Sequence, residues 1–221
     1  TALQLFIADT HANSGRLRLF GNHELSLDAV LASACLPSLQ AAVMIDGEPY
    51  WDGGYSANPA LFPLVRSGIA DLLIVWLSPL RYEQMPQEAE AIRERALEFA
   101  FNATFLREAR LLSELCEMAR PARWPLPALR WLGRWHAFGR LEHRLRRLRT
   151  HVIDAHDDLA GLPQESRLMA HGPFLERLRD QGRERASRWL VDAAPLVGRA
   201  SSTDLGALFA PPAGPTCRLA G

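Results

Sequence analysis

Lysine is absent from the 221 residues: all 25 basic side chains are arginine. Schiff-base and other lysine-dependent chemistry is therefore closed to this chain, and the bias reads as the trace of a GC-rich genome. Long apolar runs are missing too. The longest near the middle, Leu72 to Leu77, falls far short of the roughly 20 residues that a membrane helix needs. Cysteine is scarce, and Cys35, Cys116 and Cys217 form no C-x-x-C pair. That usage suits a reducing compartment, the cytoplasm, better than a disulfide framework. Neither sign of charge is in excess: 25 basic residues balance 25 acidic ones. Nucleic acid is thus not an expected partner, because phosphate binding needs surplus cations. The chain has no G-x-G-x-x-G fingerprint and no P-loop, so nucleotide binding has no support.

What is present can fold. With 48% hydrophobic and 23% charged residues, the chain is able to bury a core. Leu3 to Ala8 reads as a short strand ending at Asp9, Asn13, Ser14 and Gly15. It lies at the very start of the chain, which reads as a piece of something longer. Arg16 to Phe20 alternates polar and apolar, the period of a half-buried strand. Ser26 and Asp28 cap a predicted helix over 27–34 that stops before Pro37. In Ala42-Val-Met-Ile-Asp46-Gly47-Glu-Pro-Tyr-Trp51, an Asp-Gly pair between apolar runs predicts a hairpin. Asp71 to Leu77 reads as a strand covered on both faces.

After Pro86 the character changes. Apolar residues at three- and four-residue spacing predict one long helix over 87–119. Pro121 and Pro125 break it. A second helical stretch comes next, with a stripe of Trp131, Trp135, Phe138, Leu141, Leu145 and Leu148, and the segment around Val152 and Ile153 reads as a return to the sheet. Residues 174–191 form the last predicted helix, and the Pro- and Gly-rich tail from 211 is expected to be loosely ordered. This order predicts an α/β layer over 1–85, a helical extension packing on it over 86–210, and a tail over 211–221.

The segment Tyr50-Trp-Asp52-Gly53-Gly54-Tyr55-Ser56-Ala57-Asn58-Pro59 is the most informative. Asp52 closes the second hairpin strand, and the two glycines permit a sharp backbone reversal. A carboxylate at a strand end beside Trp51 and Tyr55 is placed to face a cleft, where desolvation would raise its pKa toward general-base range. Equally, many Asp-Gly pairs only accept turn amides, and spacing alone favours that reading.

Leu31-Ala-Ser-Ala-Cys-Leu-Pro37, the hairpin, Trp51-Asp-Gly-Gly54 and Asn58-Pro59 together resemble the patatin-like phospholipases. The resemblance extends to Phe174-Leu-Glu-Arg-Leu-Arg-Asp-Gln-Gly-Arg183 and Thr203-Asp-Leu-Gly-Ala-Leu208. It implies a three-layer α/β fold with flanking helices, incomplete in this chain. It also implies hydrolysis of lipid acyl esters by a Ser–Asp dyad without His and without a metal or organic cofactor. Carried across, Asp52 is the dyad carboxylate, Gly53 and Gly54 give it room, and Asn58 holds the loop.

One departure stands out. The family's Gly-rich oxyanion loop and G-x-S-x-G nucleophile elbow do not occur in these residues. The nearest approach, Gly54-Tyr55-Ser56-Ala57-Asn58, lacks the last glycine and the strand-to-helix setting that an elbow requires. A dyad without its nucleophile loses most of its rate, so this chain alone is not expected to hydrolyse esters. The nucleophile is expected from an amino-terminal half of the same enzyme. The competing expectation is an inactive homologue that binds a lipid surface or a protein.

Two other features carry weaker signals. Between Arg120 and Arg149 nine arginines face a single acid, Glu142, with Trp124, Trp131 and Trp135 interleaved. That composition fits a segment lying at a membrane interface, so peripheral membrane contact through 120–149 is expected. The same stripe is also the ordinary signature of a core-facing helix. His151-Val-Ile-Asp-Ala-His156-Asp-Asp158 invites a metal reading, but i, i+5 spacing cannot present both rings on one face of a helix or strand.

Overall fold

The computed structural model describes residues 3–79, 82, 85–119, 137–155, 159, 162, 166 and 169–208. Trp124, Trp131, Trp135, His136, the cluster at 156–158 and the tail from 211 lie outside the described residues. Two compact units form, one from 1–62 with 86–108 and the other from 63–85 with 109–221. The fold is mixed α/β.

In the first unit, β1 (Phe6–His11), β2 (Leu17–Gly21), β3 (Val43–Ile45) and β4 (Glu48–Asp52) make an antiparallel sheet in the order β2-β1-β4-β3. The hairpin between β3 and β4 turns on Asp46 and Gly47, both with positive φ (53° and 82°). That is the left-handed pair a two-residue turn needs to match strand twist, and Asp-Gly supplies it with little strain. Helix α1 (Leu27–Ala32) starts where Ser26 accepts the Ala29 N–H through Oγ at 3.1 Å. It buries Ala29 and Ala32 and leaves Leu27, Val30 and Leu31 exposed. Strand β1 runs three residues further than the sequence suggests. Asp9 is therefore interior to the strand rather than part of the turn beyond it.

In the second unit, β5 (Asp71–Trp76) pairs in parallel with β6 (Arg149–Asp154), so the segment around Val152 and Ile153 does return to a sheet. Among the described residues that sheet has two strands. Leu72, Ile74 and Trp76 of β5 are buried, whereas Leu73 and Val75 are 44% and 59% exposed. The expectation of cover on both faces therefore fails for β5, because an all-apolar run does not encode which face finds a partner. Helix α2 (Phe62–Ser67) precedes β5. The long helix α3 (Ala89–Ala119) belongs to the first unit as far as Glu108 and to the second from Ala109; Phe105, Ala109 and Leu112 are fully buried. Helix α4 (Ala137–Arg147) buries Leu145, and α5 (Gly172–Asp192) and the short α6 (Leu205–Leu208) complete the element order. Among the described residues no helix is long and apolar enough to cross a membrane.

Within this unit a carboxylate ties the two strands to each other and to the loop at Gly198. Asp71 accepts both arms of Arg149 (Nε to Oδ1 at 2.8 Å, Nη2 to Oδ2 at 2.7 Å) and the Gly198 N–H at 2.8 Å. The guanidinium leads the forces that hold the Asp71 carboxyl well below the usual carboxylate range.

Candidate functional site

Asp52 is the last residue of β4, and its backbone N–H reaches Cys35 O at 2.9 Å. That bond seats the strand end on the loop after α1. Its side chain caps the single 3-10 turn Gly53–Tyr55, with Oδ1 accepting the Gly54 N–H at 2.8 Å. One carboxylate oxygen is thus spent on the turn, as many Asp-Gly pairs do. The other makes no hydrogen bond among the described residues. Half-burial pushes the Asp52 pKa up, and the Gly54 N–H partly opposes that shift. The arrangement fixes the carboxyl in space, leaves an oxygen able to accept a proton, and increases its basicity.

Gly53 and Gly54 are buried, and neither has a positive φ. Their role is close approach rather than the unusual backbone that the sequence suggests. A Cβ on Gly53 would lie 1.9 Å from the Ala8 carbonyl oxygen of β1, and one on Gly54 would lie 2.0 Å from the Phe101 ring of α3. Absence of side chains lets the turn sit directly on β1. Tyr55 stands edge-on to Phe101 with ring centroids 5.3 Å apart. Its pKa is raised by burial and then by the Asp52 charge, so the phenol stays protonated beside the carboxylate. Asn58 lies further along the same loop, half-buried, and the Asn58–Pro59 peptide is cis.

Ser56 lies close to Asp52 in sequence but is otherwise engaged. Its Oγ is 2.9 Å from Thr10 Oγ1 and 3.2 Å from the Gly53 carbonyl. No bond links it to the Asp52 carboxylate. Thr10 in turn donates to the Asp52 backbone carbonyl at 2.8 Å. Strand β1 therefore grips the turn through a hydroxyl that the sequence does not single out.

Asp9 is the second residue missed by sequence. It sits directly opposite Asp52 in the β1–β4 ladder, and opposed residues of an antiparallel pair project to the same face with Cβ atoms roughly 5 Å apart. Asp9 is completely buried, and neither of its oxygens has a hydrogen-bond partner among the described residues. Burial first, and the Asp52 charge second, raise its pKa to about 7. The available signal was Thr10-His11 continuing the strand past Asp9, which makes the aspartate an interior position.

A second polar group has the composition of a catalytic triad without its chemistry. His151 Nδ1 lies 2.8 Å from Ser202 Oγ, and Nε2 lies 3.3 Å from Asp71 Oδ1. The Asp71 charge is already taken by Arg149, and the ring is 1% exposed. The Ser202 and Thr203 N–H groups are both committed to Thr150 O, leaving neither to stabilise an oxyanion. This cluster ties the sheet to the loop around 198–203. Among the described residues no group of His, Cys, Asp and Glu could hold a metal ion.

Residues 3–65 match the family model described as patatin-like phospholipase. The matched stretch runs from just before β1 into α2 and contains Asp9, Thr10 and the Asp52–Gly54 turn. It does not include 174–183 or 203–208. Over that stretch the chain is similar to patatin-like phospholipases, and the mixed α/β fold is compatible with the match. No curated protein and no solved structure matches the chain.

Proposed function

We propose that this chain is part of a lipid acyl hydrolase in which Asp52 is the base of a Ser–Asp dyad. The observation that carries the reading is the Asp52 carboxyl itself. One oxygen is pinned by Gly54, the other is uncommitted, and the whole group is made more basic by burial within a stretch that matches patatin-like phospholipases. In the reaction, Asp52 accepts the proton of a serine hydroxyl as the serine oxygen attacks the ester carbonyl. Asp52 returns that proton to the departing alkoxide as the ester C–O bond breaks, so that the alcohol leaves and an acyl-serine remains. Asp52, again ionised, then takes a proton from water as its oxygen attacks the acyl group, and passes that proton to the serine oxygen as the acyl-serine bond breaks, releasing the fatty acid and free serine. The serine and its oxyanion donors come from sequence outside these 221 residues, since Ser56 is bound to Thr10 and Gly53 rather than to Asp52.

The test is ester turnover in a protein that joins this chain to a G-x-S-x-G segment. Replacing Asp52 by Asn there lowers turnover by on the order of 10²–10⁴-fold, the usual worth of a positioned base; near-full activity removes Asp52 from the mechanism. The 221-residue chain alone leaves p-nitrophenyl esters intact, and hydrolysis by it would place the nucleophile within these residues. A second reading, an inactive patatin-like module that binds lipid surfaces or protein, is favoured by the missing elbow. It predicts that the serine position upstream holds another residue.

A further inference from the structure

The sheet holds two carboxyl groups face to face, and among the described residues only one of them has a donor. We propose that Asp9 is a positioning residue for Asp52: a buried carboxyl that keeps one proton on the shared face of the β1–β4 ladder, so that the pair carries a single negative charge and Asp52 is its ionised member. As a role in catalysis, this rests on Asp52 being the base proposed above. The charge state of the pair stands independently of any turnover.

The geometry requires it. An ionised carboxylate shut away from solvent with no hydrogen-bond donor beside it is strongly disfavoured, and the neutral acid relieves most of that cost. Asp9 has zero exposure and, among the described residues, no hydrogen-bond partner on either oxygen. Asp52 is half-buried and has the Gly54 N–H to stabilise its charge. Between two like groups roughly 5 Å apart, the proton therefore goes to the one with less stabilisation.

The other charged groups near Asp9 do not change the outcome. On β2, Arg18 lies opposite Asp9, but its guanidinium is paired with Glu24 and stacked over Phe20. On β1 itself, His11 is held between Ser14 and Glu48. On α1, which packs against β1, Asp28 is exposed and adds no positive charge. Tyr55, in the turn that also packs on β1, is held in its neutral form beside Asp52. The near-neutral titration of Asp9 has the same origin. By keeping the proton, Asp9 leaves Asp52 free to receive the one that the serine gives up.

The test is carbon-detected NMR titration of the aspartate side-chain carboxyls in the 221-residue chain, as wild type and as Asp52→Asn. The expected result is that Asp9 stays protonated until near-neutral pH, while Asp52 ionises at lower pH. In Asp52→Asn the Asp9 midpoint moves down, because the neighbouring charge has gone. An Asp9 midpoint in the ordinary acid range, or one unmoved by Asp52→Asn, overturns the proposal. Should Asp52→Asn fail to fold, the wild-type order of titration decides alone: Asp52 protonated at a pH where Asp9 is ionised refutes it. Neither outcome depends on ester hydrolysis, so the titration and the turnover assay can fail separately.

Discussion

Replacing Asp9 by Asn changes how stability depends on pH, and the structure sets the size of the effect. In the folded chain the Asp9 carboxyl keeps its proton until pH reaches about 7, against an ordinary value of 3.8. Between those limits the folded state binds a proton that the unfolded chain has released, so unfolding free energy falls as pH rises. Below 3.8 and above about 7 both states agree and the contribution is flat. At about 1.4 kcal/mol per pH step, the raised carboxyl costs the fold about 4 kcal/mol by pH 8. That is a large part of the roughly 5–15 kcal/mol total typical of a domain. Asn cannot titrate, so the variant lacks this loss. Whatever the substitution costs at pH 4, its standing relative to wild type should improve by about 4 kcal/mol at pH 8. Urea unfolding followed by circular dichroism reads this directly. With a slope near 2 kcal/mol/M, the difference in midpoints shifts by about 2 M between the two pH values. Equal offsets at pH 4 and pH 8 would refute the reasoning, because they would mean that Asp9 ionises alike in folded and unfolded chains.

Other perturbations test the packing and the charges. Gly53→Ala should lower stability by about 1–3 kcal/mol, since the new Cβ meets the Ala8 backbone carbonyl, which has nowhere to move. Gly54→Ala meets the Phe101 ring instead, so adding Phe101→Leu should recover part of that loss but none of the Gly53→Ala loss, as read by thermal melts of the single and double variants. Asp71, whose pKa is held low, supplies stability above its ordinary 3.8 that is lost as pH falls through that range. Arg149→Gln should therefore weaken the fold most at neutral pH, with the gap from wild type closing under acid; a constant gap would mean that the pair contributes no charge energy. For membrane contact through 120–149, Arg147→Gln should reduce co-sedimentation with anionic liposomes. Unchanged binding would leave that face without a lipid role.

The legible parts of this chain were those governed by local chemistry. Asp46-Gly47 announced its turn because few residues tolerate two left-handed positions, and Ser26 announced a helix start. Asp52 was legible as a strand-end carboxylate before a tight turn. Long-range pairing was not legible. Nothing around Asp9 says that a strand some forty residues later will lie across from it, and a carboxylate in an apolar run reads as a terminator until its burial is known. Likewise the run Leu72–Leu77 encodes apolarity without encoding which face is covered. In the basic stretch, several of the described side chains are tied into the fold. Leu145 is buried, Arg146 reaches the Ala119 carbonyl, and Arg144 reaches the Arg66 carbonyl.

The position of Asp71 in the chain has a consequence for synthesis. The four-stranded sheet closes entirely within residues 6–52, so its contacts can form soon after those residues emerge from a ribosome. Asp71, by contrast, waits 78 residues for Arg149 and 127 for Gly198. Until then β5 is an unpaired apolar ribbon, the state most prone to sticking to other nascent chains. A translational pause shortly after β5 would prolong that exposure, whereas one just after β4 would not.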